Sequence, residues 1–106
     1  MFTIPCESII NTHPAVYRSA LVGVGSPGEQ IPVVFAEPWP KWWPSTSTKR
    51  QRLARELAEL AASHPLTDAV EHIFIRRSLP VDIRHNAKIF REQLAIEATR
   101  QLKRVR

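Results

Sequence analysis

Asp82, Arg84, His85, Asn86 and Lys88 fall within seven residues of one another, inside the stretch Leu79 to Arg91, LPVDIRHNAKIFR. Together they supply a carboxylate, a guanidinium, an imidazole, an amide and an ammonium. Such a set can hold an anion, a phosphate or a carboxylate, and meet negative charge that develops on it. The apolar run Ile73, Phe74, Ile75 precedes the stretch and an amphipathic pattern from Ile89 follows it. A polar loop whose ends are fixed by a strand and a helix is a common seat of chemistry. Lys88 stands out, because the pattern puts it at the entrance of a helix running from about Lys88 to Arg104. The positive end of the helix dipole disfavours a cation there, unless an anion joins it. A reading without chemistry fits the same residues: Asp82 or Asn86 caps the helix and Lys88 is solvated.

The other reactive side chains form no such group. Histidines 13, 64, 72 and 85 have no metal-ligand spacing, and the lone Cys6 cannot build a zinc ribbon, so no metal site is expected. His13 and His64 each precede a proline at a helix end and read as architectural. His72 alternates with Phe74 on a strand and reads as a packed or half-exposed residue rather than a ligand. Cys6 reads as a small buried hydrophobe rather than a nucleophile. No Ser–His–Asp or paired-carboxylate arrangement follows from the spacing. Gly23, Gly25 and Gly28 are loosely spaced like a phosphate loop, but a strand and not a helix follows them, which excludes the dinucleotide-binding reading.

Length and composition bound the rest. The 106 residues suit one domain with a modest core, and 43% hydrophobic against 24% charged residues is ordinary for a soluble chain. No apolar run approaches a membrane span, the start MFTIPCES lacks the features of a secretory signal, and one cysteine suits a reducing compartment. A cytoplasmic protein is expected. The formal charge of +5 favours polyanionic partners. Much of it lies on two helical patterns, at Lys49, Arg50, Arg52 and Arg55 and at Arg100, Lys103, Arg104 and Arg106, with no recognised nucleic-acid motif. Solvated helix surface is the simpler account.

The elements expected to position the loop come in the order αββαβα. Thr3 caps a short helix carrying Pro5, Glu7, Cys6, Ile9 and Ile10, with Glu7 near its positive end, and His13-Pro14 ends it. Ala15 to Val24 and Ile31 to Ala36 form an antiparallel hairpin around Gly25-Ser26-Pro27-Gly28, with Val16, Ala20, Val22 and Val24 on one face. In EPWPKWWPSTST, residues 37 to 48, three prolines oppose regular structure. Trp39, Trp42 and Trp43 there fold back over the hydrophobic face or dock another domain or chain. Ser47 or Thr48 caps a helix from Lys49 to Ser63, with Leu53, Leu57, Leu60 and Ala61 inward and Arg52, Arg55, Glu56 and Glu59 outward. Val70 to Arg76 is a third strand, apolar enough to be central. Phe90, Leu94, Ala98 and Leu102 mark the buried stripe of the last helix. The expected class is α+β, a small three-stranded sheet flanked by helices.

This ordering resembles the C-terminal domain of the adenylate-forming superfamily of acyl-CoA synthetases, peptide adenylation domains and luciferases. The resemblance covers nearly the whole chain. Pro5-Cys6-Glu7-Ser8-Ile9-Ile10 and His13-Pro14-Ala15-Val16 are similar to the family's opening, and Ala20-Leu21-Val22-Gly23-Val24 with Gly28-Glu29 to the strand and turn after it. Leu79-Pro80, then Lys88-Ile89 and Arg91, resemble the closing motif that carries the family's catalytic lysine. Ala87 stands where the superfamily has glycine, and the interval from Pro80 to Lys88 is longer than usual. The wording VDIRHNAKIFRE is similar to the β-lactone synthetases of long-chain olefin biosynthesis.

The resemblance implies a single C-terminal lid domain over residues 1–106, working with a large N-terminal adenylation domain in cis or in trans. That domain would bind ATP and Mg2+, so none is expected on this chain alone, which would be inactive by itself. The implied reaction adenylates a β-hydroxy fatty acid, whose own hydroxyl then displaces AMP to give a β-lactone without coenzyme A. Other olefin-pathway enzymes are implied partners. By the same resemblance Lys88 is catalytic, and Arg84, His85 and Asn86 contact nucleotide or position the loop. The alternatives are the lid domain of a fatty acyl-CoA ligase and, from another class, a small basic module that binds nucleic acid or protein.

Overall fold

The structure is a computed structural model and describes residues 3–25, 30–65, 67–70, 72–82, 88–89 and 91–105. Its first element is helix α1 (Thr3–Ile10), then strands β1 (Val16–Val24) and β2 (Ile31–Pro38), a 3-10 turn (Pro40–Trp42) and helix α2 (Ser47–Ala62). Strands β3 (His72–Ile75), β4 (Val81–Asp82) and β5 (Lys88–Ile89) follow, and helix α3 (Arg91–Val105) closes the chain.

The expected hairpin is present: β1 pairs antiparallel with β2, from Val24↔Ile31 to Val16↔Pro38. Gly25, with φ 112°, turns the chain out of β1 in a conformation that favours glycine; the rest of the expected turn lies outside the described residues. β3 pairs parallel with β2, from Val33↔His72 to Ala36↔Ile75. A parallel partner needs a long crossover, and α2 provides it. The order β1-β2-β3 makes β2 central and corrects the expectation that the third strand is central. β4 and β5 form a separate two-stranded sheet, which the periodicity of the sequence does not announce.

Period-two side-chain alternation divides the core between two faces of the sheet. On one face Leu21, Val34 and Ala36 meet Cys6 and Ile10 of α1 and Leu53, Leu57 and Ala61 of α2. On the other, Ala20, Val22, Val33 and Phe35 meet Leu94 and Ala98 of α3, together with Leu79. Helices thus cover both faces, which is why β2 reads as an unbroken apolar run. Val16 departs from the expected common face. The β1–β2 register slips between Val16 and Arg18, and Val16 packs on the α1–α2 side. A single extra residue suffices to turn a side chain to the opposite face.

Local chemistry accounts for the helix ends. Thr46, and not Ser47 or Thr48 as expected, is the cap and accepts the Lys49 N–H at 3.1 Å through its hydroxyl. α2 buries Leu53, Leu57 and Ala61, with Leu60 only partly covered. His13 Nδ1 accepts the Ala15 N–H at 3.1 Å, so Nε2 carries the proton that bonds Glu56 at 2.9 Å. The histidine therefore ties the end of α1 to α2, in keeping with an architectural role.

Cys6 is fully buried. Burial first, and the Glu7 carboxylate second, push its thiol above the ordinary range. Its stabilising contribution is therefore intact below the unfolded thiol value of about 8.5 and is lost as pH rises through the higher folded value. Native protein at pH 8 is expected to resist iodoacetamide at Cys6 and to react once unfolded in denaturant. Rapid labelling of the native chain would contradict this, and labelling followed by mass spectrometry reads it.

Candidate functional site

Lys88 lies in β5 and not at the start of a helix. Its backbone pairs with Asp82, and Ile89 pairs with Val81. β-Branched Val81 and Ile89 favour that extended ladder over a helical first turn. The dipole argument for Lys88 therefore falls, because α3 begins at Arg91. Antiparallel pairing instead puts Lys88 at the tip-facing end of a hairpin, next to the connection formed by residues 83–87. Arg84, His85 and Asn86 belong to that connection and lie outside the described residues, and the Lys88 side chain is likewise outside what the structure describes.

What the structure adds is how this hairpin is mounted. Ahead of β4, the Leu79 N–H donates to Glu37 Oε1 at 2.7 Å. Arg18 Nε donates to the same oxygen at 2.8 Å. Glu37 is 7% exposed, and a carboxylate so buried needs these donors to offset its lost hydration. After β5, Arg91 Nη2 donates to both oxygens of Glu7, at 3.0 and 2.8 Å. Glu7 Oε2 also accepts the Leu21 N–H at 2.7 Å. Expecting Glu7 merely to favour the positive end of α1 misses this bridge to β1 and α3. At the end of β3, Arg76 pairs with Glu97 of α3 at 3.0 Å and donates to the Ser78 carbonyl.

A second feature is the tryptophan segment. Pro40–Trp42 makes one 3-10 turn, so the prolines permit a short regular element where none was expected. Trp39 and Trp42 are 42% and 56% exposed and are not folded over the core. Trp39 stacks on Tyr17 at 4.4 Å, and Trp43 lies beneath the guanidinium of Arg77 at 4.9 Å. Trp42 and Trp43 line an open groove of about 360 Å³ with Lys41, Lys49, Arg52 and, as its one carboxylate, Glu56. This face is cationic and aromatic, which suits contact with another surface.

Among the described residues no group of three or more His, Cys, Asp or Glu could hold a metal ion. No described helix is long and apolar enough to cross a membrane.

Comparison with known proteins follows the same lines. No protein-family model matches the chain. It is 44% identical over 95% of its length to an olefin beta-lactone synthetase of Xanthomonas campestris pv. campestris. A second olefin beta-lactone synthetase, from Stenotrophomonas maltophilia, is 38% identical over 98% of the chain. In each case the chain spans 18% of the relative's length. Among solved structures, a Brucella canis acyl-CoA synthetase superposes with a TM-score of 0.68 and 27% identity, over 92% of this chain and 17% of that one.

Proposed function

We propose, for a chain that belongs by sequence and fold to the adenylate-forming superfamily, that it is the C-terminal lid of an enzyme converting a β-hydroxy fatty acid to a β-lactone. The observation that carries the reading is the 44% identity to the Xanthomonas campestris olefin beta-lactone synthetase over 95% of the chain. The chain spans 18% of that relative, and in this reading the nucleotide and acyl pockets, with Mg2+, belong to a larger partner domain.

In the proposed reaction a carboxylate oxygen of the acid attacks the α-phosphorus of ATP. The bond from that phosphorus to the bridging oxygen breaks, and pyrophosphate leaves with the electron pair. The β-hydroxyl oxygen then attacks the acyl carbon, its proton passes to solvent or a base, and AMP departs. Because the nucleophile is part of the acyl group, ring closure needs no second substrate and gains from proximity. Lys88 is the catalytic residue of the first step. Its ammonium, carried on the β4–β5 hairpin, meets the charge building between the carboxylate and the α-phosphate. Arg84, His85 and Asn86 hold that loop or touch the nucleotide.

The similarity to a Brucella canis acyl-CoA synthetase favours a second reading, in which coenzyme A takes the acyl group. The complete enzyme, given ATP and a β-hydroxy fatty acid, is expected to release AMP and β-lactone at rates that coenzyme A does not change. Mass spectrometry of the product decides: an acyl thioester formed only with coenzyme A would replace the first reading by the second.

A further inference from the structure

We propose that Glu7 and Glu37 are positioning residues that mount the Lys88 hairpin on β1, an inference that rests on the role proposed for Lys88. Among the described residues the β4–β5 sheet has two residue pairs and does not join the main sheet. A two-stranded hairpin that small is marginal by itself, so its placement depends on what holds its ends. Each end is held by one carboxylate. Glu37 takes the Leu79 N–H just before β4, and Glu7 takes Arg91 just after β5.

Both carboxylates are in turn fixed to the same strand. Glu37 accepts from the Arg18 guanidinium and Glu7 from the Leu21 N–H, both on β1. Leu79, 2% exposed, adds an apolar anchor against Leu94 and Ala98. The Arg91 guanidinium spans both Glu7 oxygens through Nη2, while its buried Nε has no hydrogen-bond partner. Among the described residues Glu7 is the carboxylate that orients Arg91, and a lysine, with a rotatable ammonium, would hold it without a fixed plane. The two acids act through the hairpin and touch no substrate. A misplacement of about 1 Å at a reacting group can cost on the order of 10²-fold in rate.

The test combines two readouts on Glu7→Gln, Glu37→Gln and Arg91→Lys. In the complete enzyme, kcat for AMP release is expected to fall about 10- to 100-fold. KM for acid and ATP should stay within about twofold, since ground-state binding is not removed. In the 106-residue chain, amide hydrogen exchange at Val81, Asp82, Lys88 and Ile89 is expected to rise about tenfold or more, while Val33 to Phe35 in β2 stays protected. Exchange that is unchanged in the hairpin, or that rises equally in β2, overturns the proposal. Glu7→Asp keeps the charge at shorter reach and serves if Glu7→Gln does not fold. The exchange arm is independent of chemistry: an active Lys88→Ala enzyme would end the catalytic role of Lys88, and selective loosening of the hairpin would still support the mount.

Discussion

Lys88→Ala in the complete enzyme is expected to lower the rate of acid-dependent AMP release about 10²- to 10³-fold, or roughly 3–4 kcal/mol of transition-state stabilisation. The magnitude is that of removing one preorganised donor from a site where charge develops. The loss belongs in kcat, because the ammonium is asked to act on charge that is greater in the transition state than in bound acid and ATP. Alanine leaves the strand pair intact, since the Asp82↔Lys88 pairing is made by main-chain groups. Lys88→Arg is expected to recover only part of the rate, because a planar fork cannot reproduce a compact ammonium. Initial rates of AMP release, with thermal midpoints measured alongside, separate lost chemistry from lost structure.

Phe35→Ala is expected to destabilise the chain by about 3–5 kcal/mol, the usual cost of emptying a buried aromatic site. Phe35 is fully buried on the central strand, and its ring meets Phe74 at 5.4 Å on the face that α3 covers. Such a loss is a large part of the roughly 5–15 kcal/mol that holds a domain of this size together. It corresponds to a fall of roughly 15–30 °C in the unfolding midpoint. Trp42, although larger, is 56% exposed, so Trp42→Ala is expected to change stability by no more than about 0.5 kcal/mol. Calorimetry of the two variants checks the contrast, and a Trp42 effect matching that of Phe35 would mean that the tryptophan segment is part of the core.

The parts legible in the sequence are those governed by local periodicity. The stripes Leu53-Leu57-Leu60-Ala61 and Phe90-Leu94-Ala98-Leu102 announce two helices; Leu53, Leu57, Ala61, Leu94 and Ala98 are buried, Leu60 and Leu102 are partly buried, and Phe90 lies outside the described residues. The run Ile31 to Ala36 announces a hairpin strand, and the structure makes that strand the central one. The same rule misplaces β3, because an apolar run reports burial of the faces and not the number of paired neighbours. Ile73 and Ile75 of β3 pack on the α2 side and Phe74 on the α3 side, all half-buried, while the strand remains at the end of the sheet order. The periodic pattern, extended past Phe90, joins Lys88 to the helix; the competing signal is Val81 and Ile89 flanking a polar turn. Arg84, His85 and Asn86 lie outside the described residues, so their assignment rests on resemblance alone.

Glu7 and Glu37 are the residues that sequence reasoning underrates. Their partners Arg91 and Leu79 are 84 and 42 residues away, and no local window spans such distances. One signal exists for Glu37, a carboxylate at the end of an otherwise apolar strand. A buried charge has to find donors, and that necessity alone points to a tertiary partner.

The central claim, that this domain carries Lys88 to the adenylation step, is tested most directly by dividing the reaction. Acid-dependent exchange of pyrophosphate into ATP reports adenylation alone, and turnover of a chemically prepared β-hydroxyacyl adenylate reports ring closure alone. In the complete enzyme, Lys88→Ala is expected to depress the exchange by about 10²-fold or more and leave turnover of the prepared adenylate largely unchanged. Exchange at the wild-type rate in Lys88→Ala would contradict the account.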